Sequence, residues 1–143
     1  MTNLLELIHM DGRGDFVMPY TPAIRVTGGT MVYLAGVTAA PVYHSHPHVP
    51  AEFESIPWDA ATQTEMAMDN LEAVLAAAGT HLGNVVELTR YIASITENQD
   101  AVNSVMARRM GSHRPASTTV EVVGMATDPR LVLELKAVAV TEV

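Results

Sequence analysis

Three histidines at alternate positions, His44, His46 and His48, form the densest group of potential metal ligands in the sequence. Imidazoles at this spacing could point toward one ion, since neutral imidazole is the commonest side-chain metal ligand. Catalytic zinc sites, however, draw their ligands from ordered elements and fix each imidazole through a second hydrogen-bonding partner. The sequence identifies no such partner here. We therefore predict no metal site and interpret the stretch as a pocket lid or a plain surface loop.

A single acid, Glu134, interrupts the apolar alternation of the last predicted strand. Burying a carboxylate is costly unless it is hydrogen-bonded or has a chemical task, so Glu134 is a candidate catalytic residue. The alternative is a structural ion pair. Lys136, two residues further on and on the same side of the strand, is then the nearest candidate partner.

The sequence contains no other recognisable catalytic pattern. With zero cysteines, thiolate nucleophiles, thiolate zinc ligands and disulfides are excluded. No Gly-x-Ser-x-Gly elbow places a serine beside a base. The pair Gly28-Gly29 lacks the Gly-x-Gly-x-x-Gly fingerprint of dinucleotide sites. Any catalysis must therefore use oxygen and nitrogen groups.

The elements that position these residues follow from apolar periodicity and turn signals. Helical spacing between residues 59 and 78, followed by Gly79 at the C-cap, predicts a first helix. The capping-box pattern Thr96-Glu97-Asn98-Gln99 predicts the start of a second. Gly28-Gly29 predicts a tight hairpin between two strands, and four prolines between residues 37 and 57 predict a long surface loop. The predicted strands span residues 4–9, 23–27, 31–36, 85–95, 118–123 and 131–140.

This order predicts an α+β fold with a mixed sheet of about six strands and two helices packed on one face. The last strand is apolar on both faces, and two helices can cover only one of them. We therefore expect copies of the chain to bury the second face in a closed oligomer; the alternative is a solvated face that tolerates a few valines. One face carries Leu131, Leu133, Leu135, Ala137 and Ala139, and the other carries Val132, Val138 and Val140 with Glu134 and Lys136.

Length, composition and charge limit the number of domains, the partners and the cellular location that we expect. The 143 residues match one domain, 1–143, and 48% hydrophobic against 17% charged residues indicates apolar surface shared with partners. Eight basic against sixteen acidic residues give a net charge of -8, which argues against nucleic acid and anionic membranes as partners. No apolar run approaches the roughly 20 residues of a membrane span. The N-terminus also lacks a basic secretory start, so we expect a soluble, cytoplasmic protein.

Five segments, in order and at fitting separations between about residues 19 and 140, resemble the Rid (YjgF-type) family of reactive intermediate deaminases. Each segment alone is modest evidence, and their order makes the resemblance specific. The segments are Val32-Tyr33-Leu34-Ala35-Gly36; Gln63-Thr64 with Asn70-Leu71, Leu75 and Ala78-Gly79; the strand at 85–95 followed by Val102-Asn103; Arg114-Pro115-Ala116-Ser117-Thr118-Thr119-Val120; and Leu133-Glu134-Leu135-Lys136-Ala137-Val138-Ala139.

The resemblance implies a chorismate-mutase-like homotrimer with a central sheet-lined barrel and a ligand site in each cleft between subunits. It also implies hydrolysis of enamines and imines to ammonia and a keto acid without a cofactor. By position, Glu134 resembles the acid that positions water and Thr119 a catalytic position of the fifth strand. The implied substrate-binding positions are Tyr20, Gly36, Asn103 and Ser117.

Ser117 departs from the family pattern, because the deaminating members have an arginine there that binds the substrate carboxylate. A hydroxyl offers one neutral hydrogen bond where arginine offers a charged bidentate fork. We therefore expect a substrate other than the usual amino-acid-derived imines. Arg114 and Arg25 are interpreted as surface residues.

Three functions are consistent with these residues. The leading hypothesis is a hydrolytic deaminase of an enamine or imine metabolite, in which Glu134 orients water and Thr119 and Ser117 bind the substrate. The second is a non-catalytic trimer that binds a small molecule or a protein, which the loss of the arginine at Ser117 favours. The third, endoribonuclease activity, fits poorly with a charge of -8.

Overall fold

A computed structural model describes residues 3–142. Within that range the chain forms six strands and two α-helices, with single 3-10 turns at Pro50–Phe53 and Leu82–Asn84. The strands are β1 Leu5–Ile8, β2 Ala23–Val26, β3 Thr30–Tyr33, β4 Val85–Ala93, β5 Ala116–Val122 and β6 Leu133–Thr141, and the helices are α1 Ala60–Ala77 and α2 Ile95–Met110.

The main sheet has the strand order β3-β6-β4-β5, in which β4 and β5 are parallel and the other pairs antiparallel. Both helices lie on one face, where Leu71 and Leu75 of α1 and Val102 of α2 pack against Leu133 and Leu135 of β6 in one buried cluster. The predicted α+β class, with two helices on a mixed sheet, is confirmed. No helix in residues 3–142 is long and apolar enough to cross a membrane.

The predicted hairpin at Gly28-Gly29 is wrong, because the two strands it joins belong to different sheets. β2 pairs with β1 in a separate two-stranded sheet, and β3 pairs with β6. The glycines carry the chain across the end of β6: Gly29 has φ +84°, and a Cβ there would lie 2.3 Å from the carbonyl oxygen of Thr141. A two-residue turn signal is local, whereas the pairing depends on which strands the core brings together.

The first helix follows its predicted boundaries. Asp59 is the N-cap, and its carboxylate accepts hydrogen bonds from the Thr62 backbone N–H (2.8 Å) and hydroxyl (2.7 Å). Gly79 follows the C-cap with φ +78°, the left-handed conformation that glycine tolerates best.

The predicted capping box of the second helix is wrong. The helix begins at Ile95, so Thr96 lies inside its first turn, and the N-cap Ser94 has φ 49° without a side-chain cap. The Glu121 carboxylate on β5 instead accepts the Ile95 N–H at 2.9 Å. A negative group from a neighbouring strand thus stabilises the positive end of the helix dipole.

Residues 37–57 form the predicted long loop, but the loop is not entirely on the surface. Four of its residues pack into a small second core with Leu131 of the segment before β6. The amide of Asn70 on α1 donates to the carbonyl oxygens of Thr38 and Ala40, both at 2.8 Å, and so anchors the loop to the helix. The buried residues of the loop in this core are Ala39, Ala40, Phe53 and Ile56.

Residues 3–142 cover the second face of the main sheet at one end. Val140 is buried there against Leu4 and Leu5 of the N-terminal segment, so part of this face is covered by the chain itself. Toward the other strands the face is open: the side chain of Tyr33, opposite Val138 in the β3–β6 register, is 74% exposed.

Candidate functional site

The main cavity lies on the helix side of the sheet, between the edge strand β5, the neighbouring β4, helix α2 and residues 17–20. Its volume is about 720 Å³, within the range of small-molecule sites. Apolar side chains form much of its wall, and the polar groups Arg90, Ser117 and Thr119 lie together where β4 and β5 meet. The lining residues used below are Tyr20, Arg90, Asn103, Met106, Met110, His113, Arg114, Ser117 and Thr119.

The charge of this cavity is opposite to that of the chain as a whole. Two arginines and a histidine line it, and no Asp or Glu is among its lining residues, although the chain carries a net charge of -8. Basic groups without acidic partners in a concave, partly apolar site favour an anionic ligand.

Arg90 is the most informative lining residue. It lies on β4 in register with Thr119 of β5 and Leu135 of β6, so its side chain shares the helix face of the sheet. Its Nε donates a hydrogen bond to the Thr119 hydroxyl at 2.9 Å. Burial lowers the pKa of the guanidinium below its usual value, and none of the ion pairs found in residues 3–142 involves Arg90.

The other cavity arginine, Arg114, is held by backbone groups. One of its Nη atoms donates to the carbonyl oxygens of Gly111 and, at 3.0 Å, of His113. The expectation that Arg114 is a surface residue is therefore wrong in part, since it is half-buried and lines the cavity. Arg25 is exposed and pairs with Glu6 at 2.6 Å.

Residues 17–20 form one side of the cavity mouth and are fixed to β5 through Thr21. The buried Thr21 donates its backbone N–H to the carbonyl oxygen of Pro115 at 3.2 Å and its hydroxyl to that of Arg114. Thr21 thus holds Tyr20 at the cavity. Tyr20 shares this cavity with three other predicted site residues: Asn103, Ser117 and Thr119.

Glu134 and Gly36, the other two predicted site residues, lie together on the opposite face of the sheet. Glu134 lies opposite Tyr91 in the β4–β6 register. Its chain neighbours Leu133 and Leu135 point into the helix-side core. A Cβ on Gly36 would lie 2.7 Å from the Glu134 carboxylate. Within one protomer, the sheet therefore separates Glu134 from Thr119.

The ion pair between Glu134 and Lys136 does not form within one protomer, and a pair with a residue of another subunit stays a prediction. Lys136 donates its Nζ to the carbonyl oxygen of Leu34 at 3.0 Å, and no Glu134–Lys136 contact is among the ion pairs of residues 3–142. Glu134 is half-buried, so its carboxylate retains access to a ligand or to another subunit.

The three histidines of the 37–57 loop lie close together outside the cavity. His44 has a fixed partner that the sequence did not reveal, since its Nδ1 lies 2.8 Å from the carbonyl oxygen of Pro41. The prediction of no metal site assumed that no fixed partner orients these imidazoles. For His44 this assumption is wrong.

Comparison with known proteins gives the family. Residues 14–141 match the family model described as Endoribonuclease L-PSP. The chain belongs to this family, whose members include the Rid and YjgF proteins. It is 32% identical over 136 residues to Protein DfrA of Myxococcus xanthus, covering 95% of each chain.

Two further matches are a relative with a deaminase name and a solved structure with the same fold. The chain is 30% identical over 88 residues to the 2-iminobutanoate/2-iminopropanoate deaminase of Escherichia coli K12, covering 59% of this chain and 66% of the relative. Its fold matches the Rid-family protein YyfB of Yersinia pestis, a protein of unknown function, with a TM-score of 0.75 at 22% identity, covering 96% and 99% of the two chains.

For a Rid-family chain with serine at position 117, Arg90 is the residue that sequence reasoning missed. A signal was present: Leu88, Arg90 and Ile92 alternate along β4, so an arginine occupies a position of the core-facing row. The parallel pairing of β4 with β5 places this arginine one strand away from Ser117 and Thr119.

Proposed function

We propose that this Rid-family protein is a cofactor-independent hydrolytic deaminase of an anionic enamine or imine metabolite. The observation that carries the proposal is the acid-free cavity in which Arg90 lies beside Thr119. A carboxylate in this cavity would meet a guanidinium whose Nη groups make no hydrogen bond to residues 3–142 and can form a charge-assisted bidentate contact. The deaminase name of the Escherichia coli relative supports the choice of reaction.

The position of the guanidinium indicates a substrate other than the usual small amino-acid imines. Arg90 lies one strand inward from Ser117, so a carboxylate bound to it would be displaced from the position that an arginine at 117 would give. The methionines Met106 and Met110 line the same cavity, and methionine adapts to varied apolar groups. We infer a substrate that carries a carboxylate and a longer apolar group.

The proposed reaction adds water to the C=N bond. Glu134 removes a proton from water, whose oxygen attacks the imine carbon. Glu134 returns this proton to the nitrogen, which gives the carbinolamine. The carbinolamine hydroxyl then gives its proton to Glu134, which passes it to the nitrogen as the C–N bond breaks, so that ammonia leaves and the keto acid is the second product. An enamine would first tautomerise to the imine. General-base assistance of this kind contributes typically about 10²–10⁴-fold.

This mechanism requires a second copy of the chain, because Glu134 and the cavity lie on opposite faces of one protomer's sheet. We propose a cytoplasmic homotrimer in which the open face of one subunit, with Glu134 and Gly36, completes the cavity of the next. Two exposed apolar areas support such contacts. They are Tyr33 and Val120 on the open face, and Phe16, Val17, Met18 and Tyr20 at the cavity mouth.

The test is ammonia release from a panel of freshly generated imines and enamines that differ in chain length and in the presence of a carboxylate. We expect turnover of carboxylate-bearing members and its loss in Glu134→Gln, with sedimentation showing a trimer for both proteins. Glu54→Gln, at an exposed acid of the 37–57 loop that does not line the cavity, is the matched control and should retain full activity.

Two outcomes would overturn the proposal. Full activity in Glu134→Gln would remove the mechanism, and a folded single chain at micromolar concentration would remove the shared site. Ligand-dependent thermal shifts without ammonia release would instead indicate a non-catalytic binding trimer.

A further inference from the structure

The histidines of the 37–57 loop take no part in the proposed deaminase chemistry, yet they form one cluster. The ring centroid of His46 lies 4.8 Å from that of His44 and 4.8 Å from that of His48. The centroids of His44 and His48 are 5.3 Å apart. One ligand nitrogen from each ring lies within 4.8 Å of the other two. Zn–N bonds of about 2.0–2.1 Å place tetrahedral ligand nitrogens about 3.4 Å apart. Shifts of about an ångström would therefore bring all three onto one ion.

Two of the rings rest on the small second core. Phe53, whose side chain is fully buried, contacts His44 edge-on at 5.4 Å and His48 at 6.2 Å between ring centroids. Phe53 packs in turn with Ile56 and Leu131. The cluster is thus built on packed residues, which reduces the entropy lost when a ligand orders it.

The hydrogen bond of His44 leaves a free ligand atom. A carbonyl oxygen can only accept, so the Nδ1 that lies 2.8 Å from the Pro41 oxygen carries the proton. In the neutral ring Nε2 then presents its lone pair. Metal-binding histidines are commonly oriented in this way, through a backbone carbonyl at the second nitrogen.

A carboxylate adds negative charge beside the rings. Glu52 accepts the backbone N–H of Ser45 at 3.1 Å. The hydrogen bonds from Ser45 lower the pKa of the Glu52 carboxyl. An ionised carboxylate held by the residue between His44 and His46 favours a bound cation nearby.

We propose that His44, His46 and His48 bind one divalent transition-metal ion of the zinc class. Three imidazoles suit zinc, copper or nickel, whereas magnesium and calcium prefer oxygen ligands. Three protein ligands leave a fourth coordination position for water or another ligand. None of the three residues lines the main cavity, so this site is separate from the proposed deaminase site of the same protomer.

The test is calorimetric titration of the tag-free protein with Zn²⁺ alone. We expect one ion per chain with a dissociation constant below about 1 µM. His46→Asn should weaken binding by at least about tenfold, because even the loss of an outer-shell partner costs about 10- to 100-fold in affinity. The matched control is His9→Asn, which replaces an exposed histidine outside the loop and should leave the affinity unchanged.

His46 is exposed, so its replacement should leave the metal-free protein with the thermal stability of the wild type. His48→Asn provides a second test of the same loss. Several weakly bound ions per chain, an affinity that His46→Asn retains, or no heat of Zn²⁺ binding would each overturn the proposal.

Discussion

Arg90 and Arg109 are both partly buried arginines, but their surroundings differ in charge. Arg109 on α2 contacts three carboxylates of α1, those of Glu65, Asp69 and Glu72, at 2.9, 2.8 and 2.5 Å. Arg90 on β4 donates to one neutral hydroxyl. The pKa of Arg109 is raised, first by the hydrogen bond to Glu72, whereas burial lowers that of Arg90.

The difference separates a structural arginine, Arg109, from the arginine that we propose binds the substrate, Arg90. The contacts of Arg109 cross from α2 to α1 and compensate its charge within the fold. The charge of Arg90 faces an open cavity without a counter-ion. Since burying an uncompensated charge is unfavourable, Arg90 is better explained by what it binds than by what it stabilises.

The largest expected effect is that of Arg90→Met on substrate turnover. We expect kcat/KM for the carboxylate-bearing imines to fall by about 100- to 1000-fold, as when a buried hydrogen-bonded charge pair loses one partner. The free energy of unfolding in urea should not decrease. Arg90→Lys should recover only part of the loss, because an ammonium cannot form the bidentate contact.

Two results for Arg90→Met would contradict the difference between the two arginines. One is full activity, and the other is a free energy of unfolding lower by about 2 kcal/mol. Arg90 would then be structural, as Arg109 is. Thermal shifts caused by 2-oxo carboxylates, tested on the same variant, separate loss of binding from loss of the chemical step.

A smaller effect, on stability alone, is expected for Arg109→Met. We expect a loss of about 1–2 kcal/mol in the free energy of unfolding, the sum of a few partly exposed ion pairs worth about 0.2–1 kcal/mol each. Turnover should be unchanged. The neighbouring Arg108, with a side chain 59% exposed and one partner, Glu65, is the control, and Arg108→Met should change stability by less than about 0.5 kcal/mol.

The smallest effect concerns acid stability. The hydrogen bond from Arg109 is the main cause that holds the pKa of Glu65 below its usual 4.5. A lowered folded-state pKa stabilises the protein above the unfolded-state pKa, and this contribution is lost as the pH falls through the folded-state value. Thermal unfolding between pH 6 and pH 3 should therefore show a steeper acid loss in the wild type than in Arg109→Met. Parallel profiles would contradict the assignment.

Prediction from the sequence succeeded where the signal was local and periodic. Helix α1 follows from its apolar spacing, the cap at Asp59 and the glycine at 79, and the last strand follows from its alternation. It failed where the partner was distant in sequence. The start of α2 depends on Glu121 of β5 rather than on Thr96, and β2 pairs with β1 rather than β3.

In the candidate site, too, local patterns placed some residues correctly, whereas contacts between distant parts of the sequence were missed. Four of the predicted residues meet in the cavity because they surround its β5–α2 edge. The opposite placement of Glu134 follows from strand alternation, since Leu133 and Leu135 must face the core. That Arg90 reaches Thr119 depends on the parallel register of β4 and β5, which joins residues 29 positions apart.

The sequence alone determined the order of the elements, the α+β class and the family, because periodicity, caps and motifs act over a few residues. Only the tertiary structure decided which charges meet: Arg90 with an open cavity, Arg109 with three acids, and His44 with the Pro41 carbonyl. Strand register and loop packing are set by burial of the whole core, so no local pattern of residues specifies them.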